Sequence, residues 1–125
     1  MESEDLHLIE WLRKIQLAWE LTPLEFSRIT HVSEADLGRY LSLGPDQVRA
    51  LPSIPAGLEN GVALVGLYRL LLTVYPTSQE QGQWLERPNS IFEGQRPIDV
   101  MAMSPGHLSY ITYTVESGLR LGERT

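Results

Sequence analysis

Apolar residues recur along this chain at helical spacing and almost nowhere at the alternating spacing of a strand. Leu8, Trp11, Leu12, Ile15 and Trp19 fall at i, i+3, i+4, i+7 and i+11, one stripe of a first helix over about Leu6–Glu20. Thr22 precedes Pro23 and stands three residues before Glu25, so a capping box with proline at the first helical position opens a short second helix, Pro23–Thr30. Ser33 with Asp36 gives another capped start to a third helix, Glu34–Leu41, in which Leu37 and Leu41 share the inner face. Gly44-Pro45 stops that helix. Asp46–Ala50 has room for one further turn, and Leu51–Gly57, with two prolines, reads as a loop.

The longest apolar stretch follows, Leu58–Tyr75. It is apolar around most of its circumference and so belongs at the centre of the fold. Pro76 ends it, and Thr77 or Ser78 caps a helix over Gln79–Glu86. A connector rich in turn formers, Gln83–Asp99, leads to a short helix opened by Arg96-Pro97. Ser104-Pro105 opens the last helix, whose inward stripe is Leu108, Ile111, Val115 and Leu119. Tyr110–Val115 alternates locally but is equally compatible with that helix, and no hairpin signal occurs. The expected fold is all-α: a helix-turn-helix subregion over residues 1–57 packed onto a C-terminal helical bundle over residues 58–125, as one continuous unit. Trp11, Trp19, Leu67, Leu71, Trp84 and Ile111 are its expected core.

Composition narrows the function classes. At 125 residues with 42% hydrophobic content, the chain has the size and apolar share of one ordinary globular domain. The absence of cysteine removes disulfides, zinc–thiolate sites and thiol nucleophiles together, and fits a reducing cytoplasm. The N-terminus carries Glu2, Glu4 and Asp5 where a secretory signal would be basic. The apolar run Val62–Tyr75 contains Arg69 and is shorter than the roughly 20 residues that span a bilayer. A cytoplasmic protein without membrane contact is expected.

Enzyme motifs are missing. His7, His31 and His107 are scattered, and there is no phosphate loop, dinucleotide fingerprint or nucleophile elbow. Neither catalysis nor a cofactor nor a metal is expected. Leu24–Leu43 has the outline of a helix-turn-helix, with Arg28, Ser33 and Arg39 as the residues able to face DNA. Against that, the would-be recognition helix starts Ser33-Glu34-Ala35-Asp36, and the net charge is −6, with ten acids against five bases in residues 1–60. Carboxylates at the docking face oppose a polyanion. The unit therefore docks on an operator by itself, docks there within a larger assembly of several copies, or is kept as a structural or dimer-forming helical pair.

Within the connector, Trp84-Leu85, Pro88-Asn89, Phe92, Gly94, Pro97 and Asp99 stand in an order and spacing that resembles the C-terminal domain of the Xre/MbcA/ParS type of bacterial antitoxin. The resemblance covers about Leu58–Leu121, and the Xre-like pattern of Leu24–Leu37 extends it. It implies an antitoxin of a type II toxin–antitoxin system that binds a RES-domain, NAD-consuming toxin and blocks its active site. It also implies a homodimer and, as the alternative role, a repressor of its own operon, alone or as the toxin complex. By the same resemblance the last helix and tail reach toward the toxin, which marks Leu119, Arg120, Leu121 and Arg124 as toxin-binding candidates. The eight connector residues themselves read as shaping: Trp84 anchors a helix end, Pro88 stops it, Asn89 starts a turn, Gly94 supplies positive φ, and Asp99 sits at a helix start.

Overall fold

A computed structural model describes residues 6–120. Eight α-helices run through them: α1 Leu8–Ala18, α2 Pro23–Thr30, α3 Glu34–Leu41, α4 Pro45–Arg49, α5 Glu59–Val74, α6 Ser78–Glu86, α7 Pro97–Met101 and α8 Pro105–Arg120. A 3-10 turn, Ser90–Phe92, lies between α6 and α7. Among the described residues there is no strand, only an isolated antiparallel bridge between Asn89 and Gln95. The fold is all-α, as the periodicity requires.

Most helix ends follow from local chemistry. Thr22 Oγ1 accepts from Glu25 N at 3.1 Å while Glu25 Oε1 accepts from Thr22 N at 2.8 Å, completing the capping box of α2. Ser33 Oγ accepts from Asp36 N at 3.1 Å. Thr77, not Ser78, is the cap of α6, accepting from Glu80 N at 3.1 Å. The start of α1 differs from expectation. His7 is its N-cap: Nδ1 accepts from Ile9 N at 3.0 Å, and Glu10 Oε1 accepts from His7 N at 2.9 Å. With Nδ1 accepting, Nε2 is the protonated nitrogen, and it donates to Pro52 O at 2.9 Å. One ring thus caps α1 and pins the 51–57 loop.

The other end of α1 is a Schellman motif. Glu20 takes the left-handed conformation (φ 52°), Glu20 N donates to Leu17 O at 3.2 Å, and Leu21 N donates to Gln16 O at 3.1 Å. The helix therefore stops at Ala18, short of the expected Glu20.

α5 sits at the centre, with α1, α2 and α8 packed on it; α7 lies on α8, α6 on α7, and α3 on α1 and α2. The six expected core residues are all buried, within one apolar cluster that runs from α1 to α8. Gly61 marks the closest approach of α1 and α5: a Cβ there would stand 3.3 Å from both Leu12 methyls. The G-x-x-x-G at Gly57–Gly61 thus marks helix contact at Gly61 and a left-handed turn at Gly57, φ 88°.

Polar groups tie the halves together. Trp19 Nε1 donates to Gln81 Oε1 at 2.8 Å, and Gln81 Nε2 donates to Tyr75 O at 2.9 Å, so the buried amide is paired at both ends. His31 Nε2 donates to Met101 O at 2.8 Å, and Asn60 Nδ2 donates to His31 O at 3.2 Å. Arg13 reaches from α1 to the carbonyl end of α3, donating to Leu41 O at 3.0 Å and also to Leu43 O. No single helix among the described residues is long and apolar enough to cross a membrane.

Candidate binding surface

The connector is built inward from Trp84. Its ring is 1% exposed and lies between Tyr75, at 6.4 Å, and Phe92, at 6.5 Å centroid to centroid. Its indole nitrogen has no hydrogen-bond partner among the described residues. α6 ends at Glu86, two residues before Pro88, as the clash of a prolyl ring with the preceding turn requires. Asn89 then organises the turn. Its Oδ1 accepts from Ile91 N at 3.0 Å, its carbonyl accepts from Gly94 N at 3.0 Å, and its N–H donates to Gln95 O at 3.1 Å. Gly94 has φ 82°, the conformation expected for it; Glu93 beside it is also left-handed, at 58°. Phe92 and Pro97 are buried.

Asp99 does more than face a helix dipole. Arg96 holds it in a fork, Nε to Oδ2 at 2.8 Å and Nη2 to Oδ1 at 3.0 Å, and also reaches Glu86 Oε1 at 3.1 Å. Hydrogen bonding from Arg96 lowers the Asp99 carboxyl below its ordinary value; partial desolvation opposes this and the Arg96 charge adds to it. A depressed folded value means that the pair's contribution is present above the unfolded carboxylate range and is lost as pH falls through the lower folded value. Asp99→Asn is therefore expected to flatten the acid limb of thermal stability below about pH 4 and to leave its shape near neutrality unchanged, read from melting curves across that range.

The ring chain continues outward. Phe92 meets Tyr110 of α8 edge-on at 6.0 Å, and Tyr110 meets His107 at 6.4 Å. Tyr110 is 48% exposed and Tyr113 65%. Beside Tyr110 runs a groove lined by Ile91, Phe92, Val100, Met103, His107 and Tyr110 together with the polar Glu93 and Gln95; Ile91 and Met103 are exposed. The expected inward stripe of α8 is correct for Leu108, Ile111 and Val115, all buried. The sequence reading missed what remained on the other face. Removing the inward positions from α8 leaves two tyrosines at i, i+3, which is the signal of an outward aromatic face.

The expected toxin-binding residues cannot be joined to this face side chain by side chain. The side chains of Leu119 and Arg120, and the whole of Leu121 and Arg124, lie outside the described residues. What the structure does give is direction: α8 carries the backbone through Arg120, on from Tyr113.

The three candidate DNA contacts sit apart from the connector, on α2 and α3. Arg28 is exposed on α2. Ser33 spends its hydroxyl on the cap of α3. Arg39 lies over the Tyr40 ring at 4.6 Å and pairs with Asp36 at 2.9 Å, so its charge is partly answered within its own helix. Glu34 is exposed in the first turn of α3. No group of three or more metal-ligating side chains occurs among the described residues. Comparison of the chain with family models, with curated proteins and with solved structures gives no match.

Proposed function

We propose that this chain is an antitoxin that binds a cognate toxin directly and blocks its substrate cleft, and that α8 with the tail beyond it is the binding surface. The observation that carries the proposal is the outward face of α8. Tyr110 and Tyr113 stand exposed beside a groove with Ile91 and Met103, in a chain whose other large apolar residues are mostly buried. Clustered exposed aromatics next to apolar side chains are the composition of interface cores, where tyrosine gives large contact area at low entropic cost. The connector residues that carry the antitoxin resemblance support the reading indirectly. Trp84, Asn89, Gly94 and Pro97 fix the turn that forms one wall of the groove. They shape the surface, while the tyrosines offer it.

The toxin class, a RES-domain enzyme that consumes NAD, rests on the resemblance. An arginine at the end of α8 suits a cleft built for a phosphate-bearing ligand, because a guanidinium pairs with such sites geometrically. The test is co-expression with the product of the adjacent gene. A stable complex on co-purification, and NAD preserved in cells that lose it when the neighbour is expressed alone, is the expected result. Failure of the two proteins to associate overturns the proposal.

A second reading, repression of the chain's own operon, is favoured by the solvent-facing strip of α3, where Glu34, Ala35, Gly38, Arg39 and Ser42 are all exposed. Glu34 on that strip and the chain's net charge of −6 make it the weaker role for this protein alone. Gel shifts at several salt concentrations, with and without the toxin, separate the two.

A further inference from the structure

We infer that the groove between the connector and α8 takes a large apolar side chain of the partner that is flanked by a lysine or arginine, with Glu93 as the group that fixes the cation. The inference rests on the reading of α8 as a binding surface and names what that surface selects. The groove encloses about 350 Å³, room for one large side chain. Its deep lining is apolar, since Phe92 and Val100 are buried, and the exposed Ile91 and Met103 stand at its edges. Methionine adapts its shape to what it meets, which suits the rim of a recognition slot.

Both walls are fixed before anything binds. On the α8 side, the Tyr110 ring has Phe92 edge-on at 6.0 Å and His107 at 6.4 Å, and Ser104 Oγ and His107 Nδ1 are hydrogen-bonded at 2.6 Å. On the connector side, Gly94 N donates to Asn89 O at 3.0 Å and Gln95 N to Phe92 O at 3.1 Å. A slot held open in this way loses little freedom when it is filled.

Glu93 gives the slot its sign. Its backbone is left-handed, φ 58°, a conformation that glycine takes at lower cost, and Gly94 follows at φ 82°. The turn uses this conformation: Glu93 N closes the 3-10 turn by donating to Ser90 O at 3.1 Å. The turn does not use the carboxylate. Glu93 is exposed and has no ion pair among the described residues; Arg96, the nearest arginine in sequence, closes on Asp99 and Glu86 instead. A charged side chain kept at a strained position, lining a groove and without an internal partner, points to a ligand outside the chain. A carboxylate beside an apolar slot attracts a cation and turns away an acidic segment, and the net charge of −6 adds to that preference.

Two small probes of the same ring and opposite charge test the slot on the chain alone. In nitrogen-proton correlation spectra, 2-phenylethylamine is expected to shift the amides of residues 91–95 and 103–110 more strongly than 3-phenylpropionate does. Added salt should narrow the difference, and Glu93→Gln should erase it. With the co-purified partner, Glu93→Gln should weaken binding about threefold and Glu93→Lys about tenfold. Glu93→Gly should weaken binding as Glu93→Gln does while its melting temperature stays level or rises, because glycine relieves the left-handed position. A purely structural role for Glu93 gives the reverse, a lower melting temperature with unchanged affinity. Equal shifts from the two probes, or a preference that survives Glu93→Gln, overturns the inference. Affinity that falls with Tyr110→Ala/Tyr113→Ala but not with Glu93→Lys overturns it too and leaves α8 as the binding surface; affinity that responds to neither set overturns both.

Discussion

Trp84→Ala is expected to cost about 3–5 kcal/mol of folding stability, a large share of what a domain of this size has to lose. The melting temperature should fall by roughly 10–20 °C. The size of the effect comes from position as much as from volume. The indole is 1% exposed and forms the middle of the Tyr75–Trp84–Phe92 ring contacts, so its removal leaves a void between α6 and the connector. Phe92 and Asn89 hold the turn against that ring, and the groove wall formed by Ile91 and Phe92 should loosen with it. Trp84→Phe separates packing from polarity. It leaves a smaller void and also removes an indole N–H that has no acceptor among the described residues, so the cost should drop to about 1–2 kcal/mol. Thermal and chemical denaturation of the two variants checks both values; near-equal losses would mean that ring volume does not set the stability of the connector.

The second large effect is on binding. Replacing Tyr110 and Tyr113 together by alanine should weaken the complex with the proposed partner by about 2–4 kcal/mol, roughly 30- to 1,000-fold in affinity, because central aromatic anchors carry most of an interface's energy. Folding should change far less, since Tyr110 is 48% and Tyr113 65% exposed while the buried Leu108, Ile111 and Val115 stay in place. Titration calorimetry or surface plasmon resonance with the co-purified partner gives the number. A partner that binds the double variant as tightly as the wild type would place the interface elsewhere, with the tail as the next surface to test.

Much of the fold was legible because its signals are local. α2 and α3 fall on their expected bounds since Thr22, Pro23, Glu25 and Ser33 act on backbone groups within three residues. The burial of the α1 and α8 stripes follows from a 3.6-residue period, and that of α5 from an apolar run that covers most of its circumference. What escaped depends on partners distant in sequence or on unusual residues in familiar roles. Histidine is an uncommon N-cap, and His7 succeeds because its far nitrogen is held by Pro52, 45 residues away. Glu20, His31 and Glu93 adopt positive φ where glycine would have announced the turn. For His31 the reason is visible: its ring ties α2 to Met101, which no local pattern encodes. The candidate surface was half legible. The connector's turn chemistry was read from Asn89, Gly94 and Pro97, but the tyrosine face became apparent only once the buried side of α8 was known.

The bonds from Trp19 to Gln81 and from His31 to Met101 have a consequence for whatever assembles on this protein. They join the first three helices to the last three through the shared core, beside the 51–57 loop, which His7 and Tyr40 hold at Pro52 O and Ala56 O. The outer faces of α1, α3 and α8 are therefore held like surfaces cut on a single block. A partner seated on α8 sits at an angle to α3 that core packing determines. The placing of a bound partner thus becomes a property of side-chain packing rather than of a tether.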